Sequence, residues 1–344
     1  MNTPPAQRIS PSEIGAFWPG IRRVLEGHQL NANGVGTYMG SDQSFRLTSR
    51  LREQYKLDDR VEVVDGAGQG VFLALVVSRG FADRVILPRI GFPGYIAFAS
   101  ALGYQVGFYD PISLSCESSA VSSGFSATRR SVVIISQPHN PTGRVYSSQE
   151  IRKLVRNCAG HEPVLVIDFG ADFCGEILSY EPALDLGDTG ARTVVCVASL
   201  GKLLGCPGLR LGFVWSCDRE TMNDIAEFKV HVSRSPCPLA ASLAIRLLDT
   251  TDYMREVELA RSEISLRRAW LFDALRHAGM SIVRPDAGCF IYADDDGALS
   301  FAGVAGVRGH VFGDRSTTTV RLTTALHEVH WQQFRGQVHA LGST

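Results

Sequence analysis

Lysine is scarce in this chain: of 344 residues only Lys56, Lys153, Lys202 and Lys229 are lysine, and arginine carries most of the positive charge. The cysteines are scattered and never form a Cys-x-x-Cys pair. That spacing argues against a zinc cage or a compact disulfide framework and fits a reducing cytoplasm. No stretch reaches the ~18 apolar residues of a membrane helix, and Met1 to Ser10 lacks the charged start and apolar core of a secretory leader. A soluble, cytoplasmic protein is expected. The net charge of -1 comes from interspersed signs, without the basic stripe that a phosphate backbone requires, so nucleic acid is not an expected partner.

What is present is enough apolar residue for a large core: 45% of the chain is hydrophobic. Its length exceeds the size at which one core stops growing, so two domains are expected. From about residue 61, short β-branched runs alternate with amphipathic segments in the manner of βα units. Val61–Asp65, Arg84–Pro88, Ser131–Ser136, Val164–Asp168 and Thr193–Val197 read as strands. Those apolar on both faces belong in a covered, mostly parallel sheet. Leu211–Trp215 follows Thr193–Val197 too closely for a crossover helix and is expected to be antiparallel. After Pro238 the pattern changes to long helices near 239–248 and 253–278, short strands near 281–283, 290–293 and 319–322, and a closing helix near 330–340. This is the pattern of a smaller α+β domain. The segment 113–128 reads as a Ser-rich connection and 293–297 as a turn.

The run Ser199-Leu-Gly-Lys202-Leu-Leu-Gly-Cys-Pro-Gly-Leu-Arg210 sets a hydroxyl, an amine and a guanidinium at fixed offsets. An amine among small and apolar residues is desolvated, which favours its neutral, nucleophilic form and suits it to condense with a carbonyl. Taken alone, Lys202 is equally consistent with a solvated loop lysine. Asn140-Pro-Thr-Gly143 follows the strand that ends at Ser136, where open α/β sheets present ligands, although the tetrapeptide is also an ordinary turn. Asp168 closes the next strand and, taken alone, also fits a helix cap. Asp65-Gly-Ala-Gly-Gln-Gly70 opens a helix whose free N–H groups and dipole favour an anion. No acidic ribose partner follows it at the next strand end, which speaks against a dinucleotide site.

Together these segments, in this order and spacing, resemble the fold-type I pyridoxal-phosphate enzymes of the aminotransferase class I/II group, of the histidinol-phosphate and aspartate aminotransferase type. The resemblance covers about Tyr38 to Arg321. It implies a seven-stranded, mostly parallel α/β sheet with helices on both faces, plus a smaller α+β domain. The implied boundaries are an N-terminal arm at 1–37 belonging to the small domain, a cofactor-binding domain at 38–238 and a C-terminal small domain at 239–344. It also implies that Lys202 holds pyridoxal 5'-phosphate as a Schiff base and then moves the substrate α-proton. Asp168 holds the pyridine nitrogen protonated, Asn140 donates to the phenolic oxygen and adjoins the substrate, and Phe92 stacks on the ring. Gly66, Ala67, Gly68, Ser199 and Arg210 bind the phosphate. Tyr38 reaches the phosphate of a neighbouring chain, which implies a homodimer with shared sites. Arg321 grips the substrate α-carboxylate. The implied partners are an amino acid and a 2-oxo acid.

Two positions depart from the pattern. Gly68 lacks the hydroxyl that many members carry, and Ala171 stands where many place a tyrosine that donates to the phenolic oxygen; Phe173 cannot replace it. Loss of that donor is expected to alter the acidity of the cofactor adduct or its partitioning. The same apparatus serves elimination or cyclisation of the capreomycidine-synthase kind, decarboxylation and oxygen-dependent oxidation, so these stand as the alternative to amino transfer. His139, Arg234 and His310 are candidates for the substrate side-chain pocket.

Overall fold

Strands β4 (Arg130–Ser136) and β5 (Val164–Phe169) bury nearly every side chain, which requires cover on both faces of the sheet. The alternation sorts them into two cores: Val133, Ile135, Leu165 and Ile167 enter one apolar cluster, and Val132, Ile134, Val164 and Val166 enter the other. The computed structural model describes residues 24, 36–57, 60–116, 130–158, 162–178, 189–295, 299 and 306–341. The expected arm at 1–37 and the Ser-rich connection at 113–128 lie largely outside them.

The remaining strands of this seven-stranded sheet are β1 (Arg60–Val64), β2 (Ala82–Pro88), β3 (Gln105–Tyr109), β6 (Thr193–Ala198) and β7 (Gly212–Ser216), in the order β1-β7-β6-β5-β4-β2-β3. β7 runs antiparallel to both of its neighbours, as the short connection from β6 requires. The sheet is thus the α/β sheet anticipated, and the edge strand β3 is one the apolar pattern did not reveal.

Helix α1 (Ser41–Tyr55) precedes the sheet, and α2 (Ala67–Ser78) follows β1. α2 is apolar on almost every side because it lies buried across β5, β6 and β7. α3 (Pro93–Ala101) begins with proline at its first position. α4 (Ser148–Cys158) begins with a reciprocal cap: the Ser147 hydroxyl accepts from Glu150 N–H while the Glu150 carboxylate accepts from Ser147 N–H. After the short turn α5 (Leu200–Leu203) and β7 comes α6 (Arg219–Val232), whose N-cap Asp218 accepts from Glu220 and Thr221 N–H and from the Thr193 hydroxyl.

Helices α7 (Pro238–Asp249) and α8 (Thr251–His277) lead to a second, antiparallel sheet of β8 (Ile282–Val283), β9 (Phe290–Asp294), β10 (Val307–Arg308) and β11 (Thr319–Thr323), closed by α9 (Glu328–Leu341). Val320 and Leu322 enter a third core with Trp331 and Phe334. The period of two therefore turns Arg321 to the opposite face of β11. α1, α6 and β10 were not apparent in the sequence. α1 buries only Leu47, Leu51 and Tyr55, too sparse a stripe for periodicity to stand out.

Cys174, Cys196, Cys206, Cys217, Cys237 and Cys289 are free thiols, whereas Cys116 is disulfide-bonded, which the scattered spacing did not anticipate. No helix among the described residues is long and apolar enough to cross a membrane.

The first residue of β7 packs backbone to backbone against the start of α2: a Cβ at Gly212 would lie 2.6 Å from Gly66 C and 2.8 Å from Ala67 N. Neither neighbour is a side chain that can swing away. Gly212→Ala is expected to cost about 1–3 kcal/mol of stability as an overpacked contact, read as a lowered midpoint in chemical denaturation.

Candidate active site

The C-terminal ends of the parallel strands converge on one cavity of about 250 Å³. Its walls include Ala67, Gly68, Phe92, Asn140, Asp168, Ser199, Lys202 and Arg210, eight of the residues singled out from sequence. Register explains the convergence. Ser136 pairs with Asp168 at the ends of β4 and β5, and Phe169 pairs with Ala198, the residue before Ser199.

Lys202 follows β6 in the one-turn helix α5. Its Nζ donates to the Gly170 carbonyl at 2.6 Å and stands 5.3 Å from the centre of the Phe173 ring. Burial depresses the proton affinity of this amine; the Asp168 carboxylate opposes the effect, and Arg321 and Arg210 reinforce it.

Asp168 is almost fully buried, and each of its oxygens has a donor. The Tyr95 hydroxyl donates to Oδ2 at 2.6 Å and Gly170 N–H to Oδ1 at 2.6 Å. Burial raises the pKa of this carboxyl, while Tyr95, Gly170 and the Lys202 charge pull it back down. Tyr95 went unnoticed in the sequence. The signal was present, since Tyr95 lies one helical turn beyond Phe92 in a helix started by proline, and its ring meets Phe92 edge-on at 5.4 Å.

At the other end of the cavity Gly66, with φ 81°, caps α2 and presents the first N–H groups of that helix. A side chain there would approach Arg210 Nη2 within 3.1 Å. Glycine thus keeps the backbone turn and the guanidinium side by side, and Ser199 lines the same cavity as Arg210. This combination of helix start, hydroxyl and fixed cation is chemically matched to a phosphate dianion. An amine, a buried carboxylate and an aromatic face opposite that cradle complete a donor set that fits a phosphorylated pyridine aldehyde.

Arg321 adjoins the cavity from β11. Nη1 donates to Asn140 Oδ1 at 2.9 Å, and the guanidinium lies between the rings of Phe290 (4.0 Å) and Phe312 (4.8 Å). With its carbonyl oxygen engaged, Asn140 has its amide N–H groups left to donate. Ala171 lines the cavity without a hydroxyl, and Phe173 serves instead as the ring beneath the Lys202 amine.

The other sequence candidates lie elsewhere. Tyr38 is 66% exposed and lines a separate, open cavity of about 810 Å³ between α1 and α7, with Arg234 4.5 Å above its ring. Within one chain it is not brought to Lys202. His139 is fully buried, bonded through Nδ1 to the Thr142 hydroxyl, and burial pushes its pKa down to about 3; it is a neutral packing residue. His310 lines a cavity adjoining the Lys202 site.

The family described as Aminotransferase class I and II matches residues 22–330. The chain is 23% identical over 313 residues to a protein of Bacillus subtilis (strain 168) named probable N-acetyl-LL-diaminopimelate aminotransferase, covering 84% of this chain and 75% of that one. It is 29% identical over 243 residues to the histidinol-phosphate aminotransferase of Rhodopseudomonas palustris (strain BisB18), covering 69% and 62% respectively. The solved structure of an aminotransferase from Staphylococcus aureus superposes with a TM-score of 0.72 at 17% identity, over 95% of this chain and 91% of that one, a likeness of fold.

Removing the hydroxyl above Asp168 isolates its effect on the carboxylate. In Tyr95→Phe the Asp168 carboxyl is expected to titrate at a higher pH than in the parent, followed by carbon-13 NMR of carboxyl-labelled aspartate. The lost buried hydrogen bond is expected to lower stability by about 1–3 kcal/mol.

Proposed function

Because the chain belongs to the aminotransferase class I and II family, we propose that it moves an amino group from an amino acid to a 2-oxo acid, with pyridoxal 5'-phosphate held on Lys202. The observation that carries this reading is the convergence of Lys202, Asp168, Asn140, Ser199 and Arg210 on one cavity. When bound, the cofactor supplies a carbonyl for amines and a ring that accepts the electrons left by a departing α-proton.

In this reading Ser199, Arg210 and the N–H groups at Ala67 and Gly68 bind the phosphate. Phe92 offers its ring face, and an Asn140 N–H donates to the phenolic oxygen. Asp168, fixed by Tyr95 and Gly170, sets a negative charge against the ring nitrogen. With the cofactor bound, Lys202 Nζ would hold it covalently and, when freed by an incoming amine, would serve as the base at the substrate α-carbon. Burial, which lowers the proton affinity of this amine, suits it to that role. Arg321 binds the substrate α-carboxylate through its forked N–H edge, and Phe290 and Phe312 keep water from its faces.

In this reading residues 38–238 hold the cofactor and 239–344 supply the carboxylate arginine. Tyr38, exposed and lining a cavity apart from that of its own Lys202, fits a role in the site of a second copy, so the working form is read as a homodimer.

Borohydride reduction of the loaded protein is expected to fix a pyridoxyl group on Lys202, detected by peptide mass mapping, and Lys202→Ala is expected to retain none. Arg321→Lys, which keeps the charge but loses the fork, is expected to raise KM for the amino donor by about tenfold or more. Product formed at full rate without any 2-oxo acid acceptor would point to elimination, decarboxylation or oxidation instead.

A further inference from the structure

Arg268, on α8, is buried and forks onto Glu176, with Nη1 donating to Oε2 at 2.8 Å and Nη2 to Oε1 at 2.7 Å. Glu176 lies in the segment that follows β5, beyond Gly170, Ala171 and Phe173. The pair also grips the entry to β9. Gly288 N–H donates to Glu176 Oε2 at 2.7 Å, and the carbonyls of Gly288 and Asp286 accept from Arg268. A further tie reaches the same entry from the Asn140 motif: Asp286 and Ala287 N–H donate to the Gly143 carbonyl at 2.9 and 3.0 Å. Residues 286–290 are therefore bonded to the segments after β4 and β5 and to α8 before the chain enters the small sheet.

Each segment held by the ion pair carries an aromatic ring. The ring of Phe173 stands 5.3 Å from Lys202 Nζ, and the ring of Phe290 lies 4.0 Å from the Arg321 guanidinium. The two rings meet edge to face, with centroids 6.1 Å apart and planes at 84°. Amine, ring, ring and guanidinium thus form one row of contacts from the large sheet to the small one. The width of that row sets how far the amine stands from the proposed carboxylate anchor, and it is constant only if the backbones that carry the rings are fixed. Arg261, two turns before Arg268 on the same helix, adds to this by donating from Nε to the Cys174 carbonyl at 2.8 Å.

Stability alone does not account for the pair, because apolar residues of similar volume are often as stabilising as a buried ion pair. Neither Arg268 nor Glu176 is among the residues lining the Lys202 cavity, so both act through others. We propose that Arg268 and Glu176 are positioning residues: by joining the segment that carries Phe173 to the strand entry that carries Phe290, they fix the spacing between the Lys202 amine and the Arg321 guanidinium. The consequence for turnover rests on the amino-transfer reading above; the spacing itself does not. A substrate with its carboxylate on Arg321 has its α-carbon presented to Lys202 at that spacing, so an altered spacing slows proton transfer more than it weakens binding.

Turnover is measured on the cofactor-loaded full chain with each of the common amino acids as donor and 2-oxoglutarate as acceptor. Arg268→Met combined with Glu176→Gln removes both charges, leaves no buried charge unpaired and keeps an acceptor for Gly288 N–H. In this double variant kcat is expected to fall about tenfold or more, while KM for the amino donor changes by less than about threefold and the denaturation midpoint stays close to that of the parent. Arg268→Lys keeps the charge and loses the fork; it is expected to retain more of kcat, and it carries the test if the double variant does not fold. Parental kcat in every folded variant, or a raised KM with kcat unchanged, overturns the proposal. Should the parent carry the cofactor on Lys202 yet convert no amino acid, the amino-transfer reading fails and the visible absorbance of the loaded chain decides. Its pH midpoint is expected to shift in the variants, because the Gly170 carbonyl and the Phe173 ring move relative to the Lys202 nitrogen; an unshifted midpoint overturns the proposal. A chain that takes up no cofactor overturns both.

Discussion

The site is organised by two buried groups of opposite charge type, the amine of Lys202 and the carboxyl of Asp168. Desolvation disfavours the charged form of both, and each charge partly offsets the penalty on the other. The surrounding donors and acceptors follow from this conflict. The Tyr95 hydroxyl and Gly170 N–H support the carboxylate, and the Gly170 carbonyl and the Phe173 ring receive the amine. One residue, Gly170, thus offers its N–H to the acid and its C=O to the base.

The second constraint is geometric. A parallel sheet gathers the ends of its strands at one edge, so groups far apart in sequence meet without long loops. Arg321 comes from a different sheet with a different core, and it arrives because the alternation of β11 sends Val320 and Leu322 into that core and the arginine the other way. Packing of one sheet therefore positions a side chain for the other. The same relation holds for Phe312, which touches Arg321 on one side and is tied to Gly91 on the other.

Much of this was legible in the sequence. Continuous apolar runs at 131–136, 164–168 and 193–197 read directly as covered strands, and the residues that end or follow them, Asn140, Asp168 and Lys202, are among those that line the cavity. Positions defined by their partners were not legible. Tyr95 reads as a core aromatic until the register of β5 brings Asp168 beneath it, and the Phe290–Arg321–Phe312 stack joins residues from separate strands and a turn. α1 and α6 escaped notice because their exposed faces are wide, and β3 because an edge strand need be apolar on only part of its surface. His139 illustrates the converse, since a histidine beside a cofactor motif invites a chemical role that complete burial denies.

The hydrogen bond from Arg321 to Asn140 makes one amide a reporter for both halves of the molecule. The bond ties β11 of the small sheet to the loop that follows β4 of the large one, so a change at either residue is felt by its partner in the other sheet.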